Sequence, residues 1–315
     1  MRRLRVLTWH IHGSYLYYLT QTPVDFYLLS KPERSTGYAG RWGHFPWGDN
    51  VYDLPVDQVR HTQFDCILFQ ARSHYLYDQY QLLSAAQRRL PRIYLEHDPP
   101  REHPVYTRHP VDDPDILLVH VTHFNALMWD SGRTPTRVIR HGVMVPDAVR
   151  YTGELARGIV AINHLQQRGR RLGYDIYRNT RRAIPLDLVG MGAENVEGGL
   201  GEIQHDRLPA FAARYRFFFN PIRYTSLGLA VCEAMAIGMP IVGLATTEMA
   251  VTVENGVSGY VDTDTDQLIE RMRALLSDRE HARHLGEGAR RHALEHFDIG
   301  RFTREWEEAF RMMAG

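Results

Sequence analysis

Residues 220–240 read NPIRYTSLGLAVCEAMAIGMP and carry the most informative pattern of the chain. The apolar residues just before this stretch predict a strand that ends at Asn220. Ser226 is a residue type that caps helix N-termini, Gly238 suits the left-handed position after a helix, and Pro240 prevents the helix from continuing. The stretch therefore predicts a strand, a short loop and a helix that starts at Ser226.

The start of this helix is a candidate anion site. The first N–H groups of a helix have no acceptor within the helix, and the helix dipole adds partial positive charge there. Residues 226–228 would therefore suit a phosphate group. Glu233 follows about two turns later, and its carboxylate can accept hydrogen bonds from both hydroxyls of a ribose diol. The pattern indicates a nucleotide site.

Apolar runs alternate with helical patterns along the rest of the chain, which is typical of α/β proteins with parallel sheets. Strands are predicted at 4–9, 25–30, 64–70, 91–96, 115–121, 136–140, 158–163, 185–190, 215–220, 240–245 and 257–261. Helices are predicted at 73–89, 123–131, 169–182, 207–214, 226–237, 265–277, 279–296 and 300–313. Segment 31–55 is rich in Gly, Pro and aromatic residues, so we expect a long functional loop there.

Composition excludes several classes of protein. The 315 residues contain 37 Lys+Arg and 37 Asp+Glu, and this balance argues against a nucleic-acid binder that acts through bulk positive charge. Cys66 and Cys232 lie in apolar runs, which predicts two core cysteines in a reducing compartment. We expect no signal peptide and no transmembrane segment, because no apolar run approaches ~20 residues. These features predict a cytoplasmic protein, a location compatible with peripheral membrane association.

The stretch TSLGLAVCEAMAIGMPIV at 225–242 resembles the donor-site signature of the retaining family 4 glycosyltransferases, the glycosyl transferases group 1. Three further segments are similar to family motifs: VGMGAE at 189–194, ENGVSGYV at 254–261 and RVIRHGV at 137–143. The resemblance covers most of the second half of the chain. It is weaker in the first half, where the family chooses its acceptor.

The resemblance implies the GT-B fold, an α/β architecture of two Rossmann-like domains that face each other across a cleft. Residues 1–147 would form the acceptor-side domain and residues 148–299 the nucleotide-sugar donor domain. Residues 300–315 would form a C-terminal helix that can pack back on the first domain.

The resemblance also implies roles for individual residues. Glu233 takes the position that holds the donor ribose, while Thr225 replaces a family glutamate that contacts the donor sugar. Arg168 and His164 stand near the family cations that neutralise the leaving diphosphate, and Arg223 is a candidate for a further charge. The candidate catalytic residues are His97, Arg168 and Thr225. The candidate donor-binding residues are Gly13, Asn163, His164, Gly190, Arg223, Ser226, Leu227, Gly228, Leu229 and Glu233.

The activity implied by the resemblance is a metal-independent hexosyl transfer with retention from a nucleotide-diphosphate sugar, with no other cofactor. A glycan, a lipid-linked molecule or a small molecule would be the acceptor. Two alternatives stay open. Thr225 and His164 depart from the family pattern, which favours a sugar-nucleotide or glycan-binding protein without turnover. His10 and His12 resemble the ligand pair of metal-dependent hydrolases.

Overall fold

The computed structural model describes residues 2–315 and divides into two compact units. The N-terminal unit contains the chain up to Gly142 together with Ile299–Gly315. The second unit is Val143–Asp298. The last helix of the chain therefore belongs to the unit that is formed by the first residues.

The N-terminal unit is built on a parallel sheet of seven strands in the order β3-β2-β1-β4-β5-β6-β7. The strands are β1 Arg5–Thr8, β2 Asp25–Ser30, β3 Val51–Pro55, β4 Cys66–Phe69, β5 Arg92–Glu96, β6 Ile116–His120 and β7 Thr136–Val138. The four residues of β4 and the five of β6 are all buried, which explains why their sequences are apolar throughout. Six of the seven strands were predicted from such runs.

The second unit contains a parallel sheet of five strands in the order β12-β11-β10-β8-β9. The strands are β8 Leu155–Ala161, β9 Leu186–Val189, β10 Tyr215–Asn220, β11 Ile241–Leu244 and β12 Gly259–Asp262. In both sheets, the chain first adds strands on one side of the first strand and then adds the remaining strands on its other side. The direction therefore switches between β1 and β4 and again between β8 and β10, and ligands of open α/β sheets bind at such points.

Eleven α-helices accompany the two sheets within residues 2–315. They are α1 Gly13–Leu19, α2 Gln79–Leu82, α3 His123–Met128, α4 Leu165–Arg168, α5 Tyr174–Arg181, α6 Leu208–Ala212, α7 Leu229–Ile237, α8 Met249–Thr252, α9 Thr265–Ser277, α10 Arg279–His296 and α11 Ile299–Ala314. Asp264 caps α9 and Asp278 caps α10 through side-chain bonds to backbone N–H groups, which explains why both were predicted at these bounds.

Apart from shifts at the ends of elements, three predicted segments differ from the structure. Part of the predicted loop 31–55 is strand β3, which pairs with β2 at the edge of the sheet. The predicted helix 73–89 is interrupted, because the chain becomes extended at Leu83 after α2. The predicted helix 169–182 is interrupted at Gly173, which has φ 82° and whose added Cβ would lie 1.9 Å from the Pro221 carbonyl oxygen. The first and third differences depend on contacts that are distant in sequence.

Each unit has its own core. In the N-terminal unit, Trp306 and Phe310 of α11 are fully buried, and Phe310 makes an edge contact with Phe26 of β2. In the second unit, α9 and α10 contribute to a cluster around the five strands. Cys66 and Cys232 are both buried, as the prediction of two core cysteines requires.

Candidate functional site

In the second unit, the loops that follow β8 and β9 are joined by two hydrogen bonds. Met191 N–H donates to Asn163 Oδ1 over 2.9 Å, and His164 N–H donates to the Met191 carbonyl over 2.7 Å. Gly190 has φ 129°, and an added Cβ would lie 2.8 Å from Asn163 Oδ1. A glycine is therefore needed at this position, and the structure brings the candidates Asn163, His164 and Gly190 together.

His164 lies directly before α4 and adopts a left-handed backbone with φ 53°. Its Nδ1 is buried without a hydrogen-bond partner among the described residues, and it faces Gly192, whose added Cβ would lie 3.1 Å away. Arg168 ends α4 and is exposed. The two residues thus lie at opposite ends of one short helix after β8, beside the switch point of the sheet.

The loops after β8 and β10 meet across this switch point. The Arg171 carbonyl accepts hydrogen bonds from the N–H groups of Arg223 and Tyr224, over 3.0 and 3.2 Å. The Arg223 guanidinium forms two bonds to Asp175 of α5, over 2.5 and 2.7 Å. Because the side-chain hydrogen bond from Arg223 stabilises the carboxylate, the pKa of Asp175 is lowered. Arg223 shares this carboxylate with Arg170, whose Nη1 also lies 2.8 Å from Asp175 Oδ2.

The helix after β10 begins later than predicted. Gly228 is in the N-cap position with an extended backbone, and α7 starts at Leu229. The prediction that Ser226 caps the helix is wrong, because its hydroxyl is buried and has no hydrogen-bond partner in residues 2–315. Thr225 is half-buried before it, and Leu227 is buried.

The space at the start of α7 is open. An added Cβ at Gly228 would meet no atom of the described chain within 4 Å. The N–H groups of the first helical turn point toward this end of the helix, so an anion can approach the backbone closely. Gly238 ends α7 with φ 97°, in the left-handed conformation that the sequence predicts.

Glu233 lies in the middle of α7 with 8% of its surface exposed. It lines a mostly apolar pocket between α6, α7 and the strands β8 and β10. The lining residues are Ile159, Ala161, Leu208, Pro209, Ala212, Phe218, Ala230, Glu233, Ala234 and Ile237. An ionised carboxylate only accepts hydrogen bonds, so Glu233 provides hydrogen-bond acceptors at this pocket.

The other candidates, Gly13 and His97, belong to the N-terminal unit. Gly13 is the first residue of α1 after β1, and an added Cβ would lie 2.9 Å from the Phe45 ring. His97 follows β5, and its Nε2 lies 3.1 Å from Oε1 of Gln70, the residue after β4. Both candidates therefore lie at the carboxyl edge of the sheet, near the β1–β4 switch point.

Aromatic and imidazole rings surround His97. Its ring centroid lies 4.3 Å from that of His12 and 4.9 Å from that of Tyr15, which stands at 89° to it. Burial, and then repulsion from His12 and His141, hold the pKa of His97 well below its usual range. The imidazole is therefore neutral at physiological pH and offers one donor and one acceptor nitrogen.

His10 and His12 have different surroundings. His10 Nδ1 lies 2.6 Å from the Gly40 carbonyl oxygen, and its ring makes an edge contact with Trp47. The ring of His12 instead packs on His97. Residues 2–315 contain no group of three or more His, Cys, Asp or Glu side chains that could hold a metal ion.

Two residues at the switch points were missed by the sequence reasoning. Gln70 is a buried polar residue directly after the apolar run of β4. A polar residue at the end of a central strand could have been recognised from the sequence as a candidate site residue. Arg171 joins two loops through its backbone carbonyl. Every residue type has this carbonyl, so the amino-acid sequence gives no indication of the contact.

Part of the second unit is similar to a known family of proteins. Residues 194–292 match the family model described as Glycosyl transferases group 1. An 87-residue stretch is 31% identical to N-acetyl-alpha-D-glucosaminyl L-malate synthase of Bacillus anthracis. This match covers 27% of the chain and 23% of that relative, so the chain matches less than a quarter of the relative's length.

Solved structures match nearly the whole chain. Sucrose-phosphate synthase from Thermosynechococcus elongatus has a TM-score of 0.73 at 17% identity, covering 98% of this chain and 99% of the other. Anabaena HepE, solved in complex with UDP, has a TM-score of 0.66 at 14% identity, covering 99% and 100%. The chain thus has the α/β GT-B fold, and its predicted resemblance to group 1 glycosyltransferases is confirmed. Among residues 2–315, no helix is both long and apolar enough to cross a membrane.

Proposed function

We propose that the chain is a glycosyltransferase that moves a hexosyl group from a nucleotide-diphosphate sugar to an acceptor, with retention and without a metal ion. The proposal rests on one observation, which is the overlap of the family match with the candidate donor site. The segment that matches the group 1 family, residues 194–292, includes the open start of α7 and the partly enclosed Glu233, next to the switch point between β8 and β10.

The start of α7 supports binding of the diphosphate. The N–H groups at the start of this helix and the positive end of the helix dipole stabilise phosphate charge without a metal. Gly228 leaves room for this approach. Arg168 is the last residue of α4, which follows the neighbouring strand β8. Its guanidinium can stabilise the negative charge that develops on the leaving diphosphate. Because Arg223 forms an ion pair with Asp175, we expect Arg223 to position the loop at 221–225.

The donor nucleoside and sugar would use different residues. In this proposal Glu233 accepts hydrogen bonds from the ribose hydroxyls, and Thr225 contacts the transferred sugar. We propose His97 as a further catalytic residue, in the N-terminal unit. Threonine can donate and accept one hydrogen bond but has no charge. Anabaena HepE was solved with UDP and with UDP-glucose, which makes uridine donors the first ones to test. The transition state has oxocarbenium character, as in other glycosyl chemistry.

The test begins with a thermal-shift panel of UDP, GDP, ADP and their common sugar conjugates, each with and without EDTA. One nucleotide at about 100 times its Kd should stabilise the protein by about 2.7 kcal/mol, with the same shift in EDTA. Incubation of that sugar nucleotide with candidate acceptors should release the nucleoside diphosphate. NMR of the product anomer then tests retention.

The panel also distinguishes the alternative of a binding protein without turnover, which the threonine at position 225 favours. Saturable binding of a sugar nucleotide without transfer or hydrolysis would support this alternative and contradict the enzyme. The absence of a shift with every nucleotide would contradict both the enzyme and a sugar-nucleotide-binding protein, and would leave a glycan or another ligand to test.

A further inference from the structure

The orientation of the Gln70 amide follows from its partners. Gln70 Nε2 lies 2.9 Å from Thr8 Oγ1 and 3.1 Å from the Trp9 carbonyl oxygen. The Trp9 carbonyl can only accept, and the Thr8 hydroxyl donates its hydrogen to the Leu68 carbonyl over 2.9 Å. Both partners therefore need a donor. The reversed amide would place Oε1 against two acceptors inside the protein, where Gln70 is 5% exposed.

This orientation determines which nitrogen of His97 carries the hydrogen. Gln70 Oε1 can only accept, and it lies 3.1 Å from His97 Nε2. The Nε2 atom must therefore carry the hydrogen and donate it to Gln70. Because a neutral imidazole has one N–H group, Nδ1 is left unprotonated and acts as a hydrogen-bond acceptor.

We propose that Gln70 is a positioning residue that fixes His97 as the Nε2–H tautomer, so that Nδ1 accepts a hydrogen bond from a hydroxyl of the sugar substrate. The part concerning the substrate rests on the proposed function. The tautomer itself follows from the chain of bonds through Leu68, Thr8, Gln70 and His97, which joins the ends of the central strands β1, β4 and β5.

The groups packed around His97 are compatible with this tautomer. His12 and Tyr15 approach from the start of α1, and His141 approaches from the segment after β7. Trp306 Nε1 donates to the Tyr15 hydroxyl over 3.3 Å and holds that ring in place. The edge contact of Tyr15 restricts rotation of the His97 ring. With two other imidazoles nearby, a positive charge on His97 is unfavourable.

The first experiment is ¹⁵N NMR of the full chain labelled in histidine, with His97 assigned by comparison with His97→Gln. The wild type should show a protonated Nε2 and an unprotonated Nδ1. Gln70→Leu removes the acceptor at similar size, so the Nδ1–H tautomer should become populated. In the transfer assay, kcat/KM should fall about fivefold or more, which corresponds to one lost neutral hydrogen bond.

Gln87→Leu is the matched control. Gln87 is also buried in the N-terminal unit, and its amide nitrogen donates to the carbonyls of Val59 and Thr62 over 2.7 and 3.0 Å. Its replacement removes a comparable set of hydrogen bonds away from His97. The His97 signals and the transfer rate should stay as in the wild type.

A second variant, Gln70→Glu, keeps an acceptor at Nε2 but adds negative charge. The carboxylate should raise the pKa of His97 toward protonation, which would convert Nδ1 into a donor. The acidic limb of the pH–rate profile should then move to higher pH than in the wild type, and activity should recover as the pH rises through the new pKa. His12, Tyr15 and His141 are unchanged in this comparison.

The outcomes separate the tautomer from the proposed function. An Nδ1–H tautomer in the wild type, or an unchanged His97 spectrum in folded Gln70→Leu, would overturn the inference. If the wild type transfers no sugar but its tautomer responds to Gln70, the role in transfer is overturned and the tautomer assignment is supported. A changed tautomer together with the loss of kcat/KM supports both parts.

Discussion

At the scale of single residues, Glu233 shows how a sequence position acquires chemistry from its surroundings. Helix α7 places it opposite Leu208 and Pro209 of α6, in a mostly apolar pocket where 8% of its surface is exposed. A carboxylate in such surroundings interacts strongly with hydroxyl donors, since little water competes for it. The role in ribose binding that we propose depends on this environment.

Glu233→Gln should weaken binding of the nucleotide by about tenfold or more, because hydrogen bonds to a charged acceptor contribute about 1.5–3 kcal/mol. The measurement is titration calorimetry with the nucleotide that stabilises the wild type. Glu270→Gln is the control, since Glu270 lies exposed on α9 in an ion pair with Arg273. Equal affinities of the wild type and Glu233→Gln would refute the ribose role.

At the scale of elements, Arg216 shows how one strand supports the end of a helix. It lies in β10 and is 7% exposed. Its guanidinium donates to the carbonyls of Leu275 and Leu276 in the last turn of α9 over 3.0 and 2.7 Å, and to the Gly153 carbonyl over 2.8 Å. Carbonyls at a helix C-terminus have no partner in the helix and carry partial negative charge, so a buried cation stabilises this end.

Replacement of this cation tests that interaction. Arg216→Met fills similar space but leaves three carbonyls without their donor, so the free energy of unfolding should fall by about 2–3 kcal/mol. Urea denaturation of the full chain measures the change. Arg273→Met, on the exposed face of α9, should stay within about 0.5 kcal/mol of the wild type. Similar losses in both variants would show that the C-terminus of α9 does not depend on Arg216.

At the scale of the whole molecule, the chain returns to its first unit after it completes the second. Helix α11 follows Asp298 and packs Phe302, Trp306 and Phe310 into the N-terminal unit without exposed surface. Trp306 also donates to Tyr15 of α1, which is 291 residues away in sequence. The stability of the first unit therefore depends on the last residues of the chain.

Trp306→Ala should destabilise the N-terminal unit by about 3–5 kcal/mol, the usual cost of removing a buried tryptophan. Hydrogen exchange followed by mass spectrometry should show faster exchange in β1 and β2, with β8 and β10 less affected. Trp42→Ala is the control, because Trp42 is 60% exposed in the loop before β3. Faster exchange in β8 and β10 alone would contradict this assignment of α11.

The sequence by itself determined the features that depend on neighbouring residues. Strand β10 and helices α9 and α10 have the predicted bounds, because apolar runs and capping aspartates act locally. The family resemblance of the motif at 225–242 and of the segments around it predicted the GT-B fold, which the comparisons confirm. Tertiary structure decided the features that depend on residues distant in sequence. Strand β3 forms against β2, Ser226 is buried before α7 begins, and Arg223 is paired with Asp175. The hydrogen on His97 is likewise set by Gln70, which is 27 residues away in sequence and adjacent only in the folded sheet, because a hydrogen bond requires proximity in space.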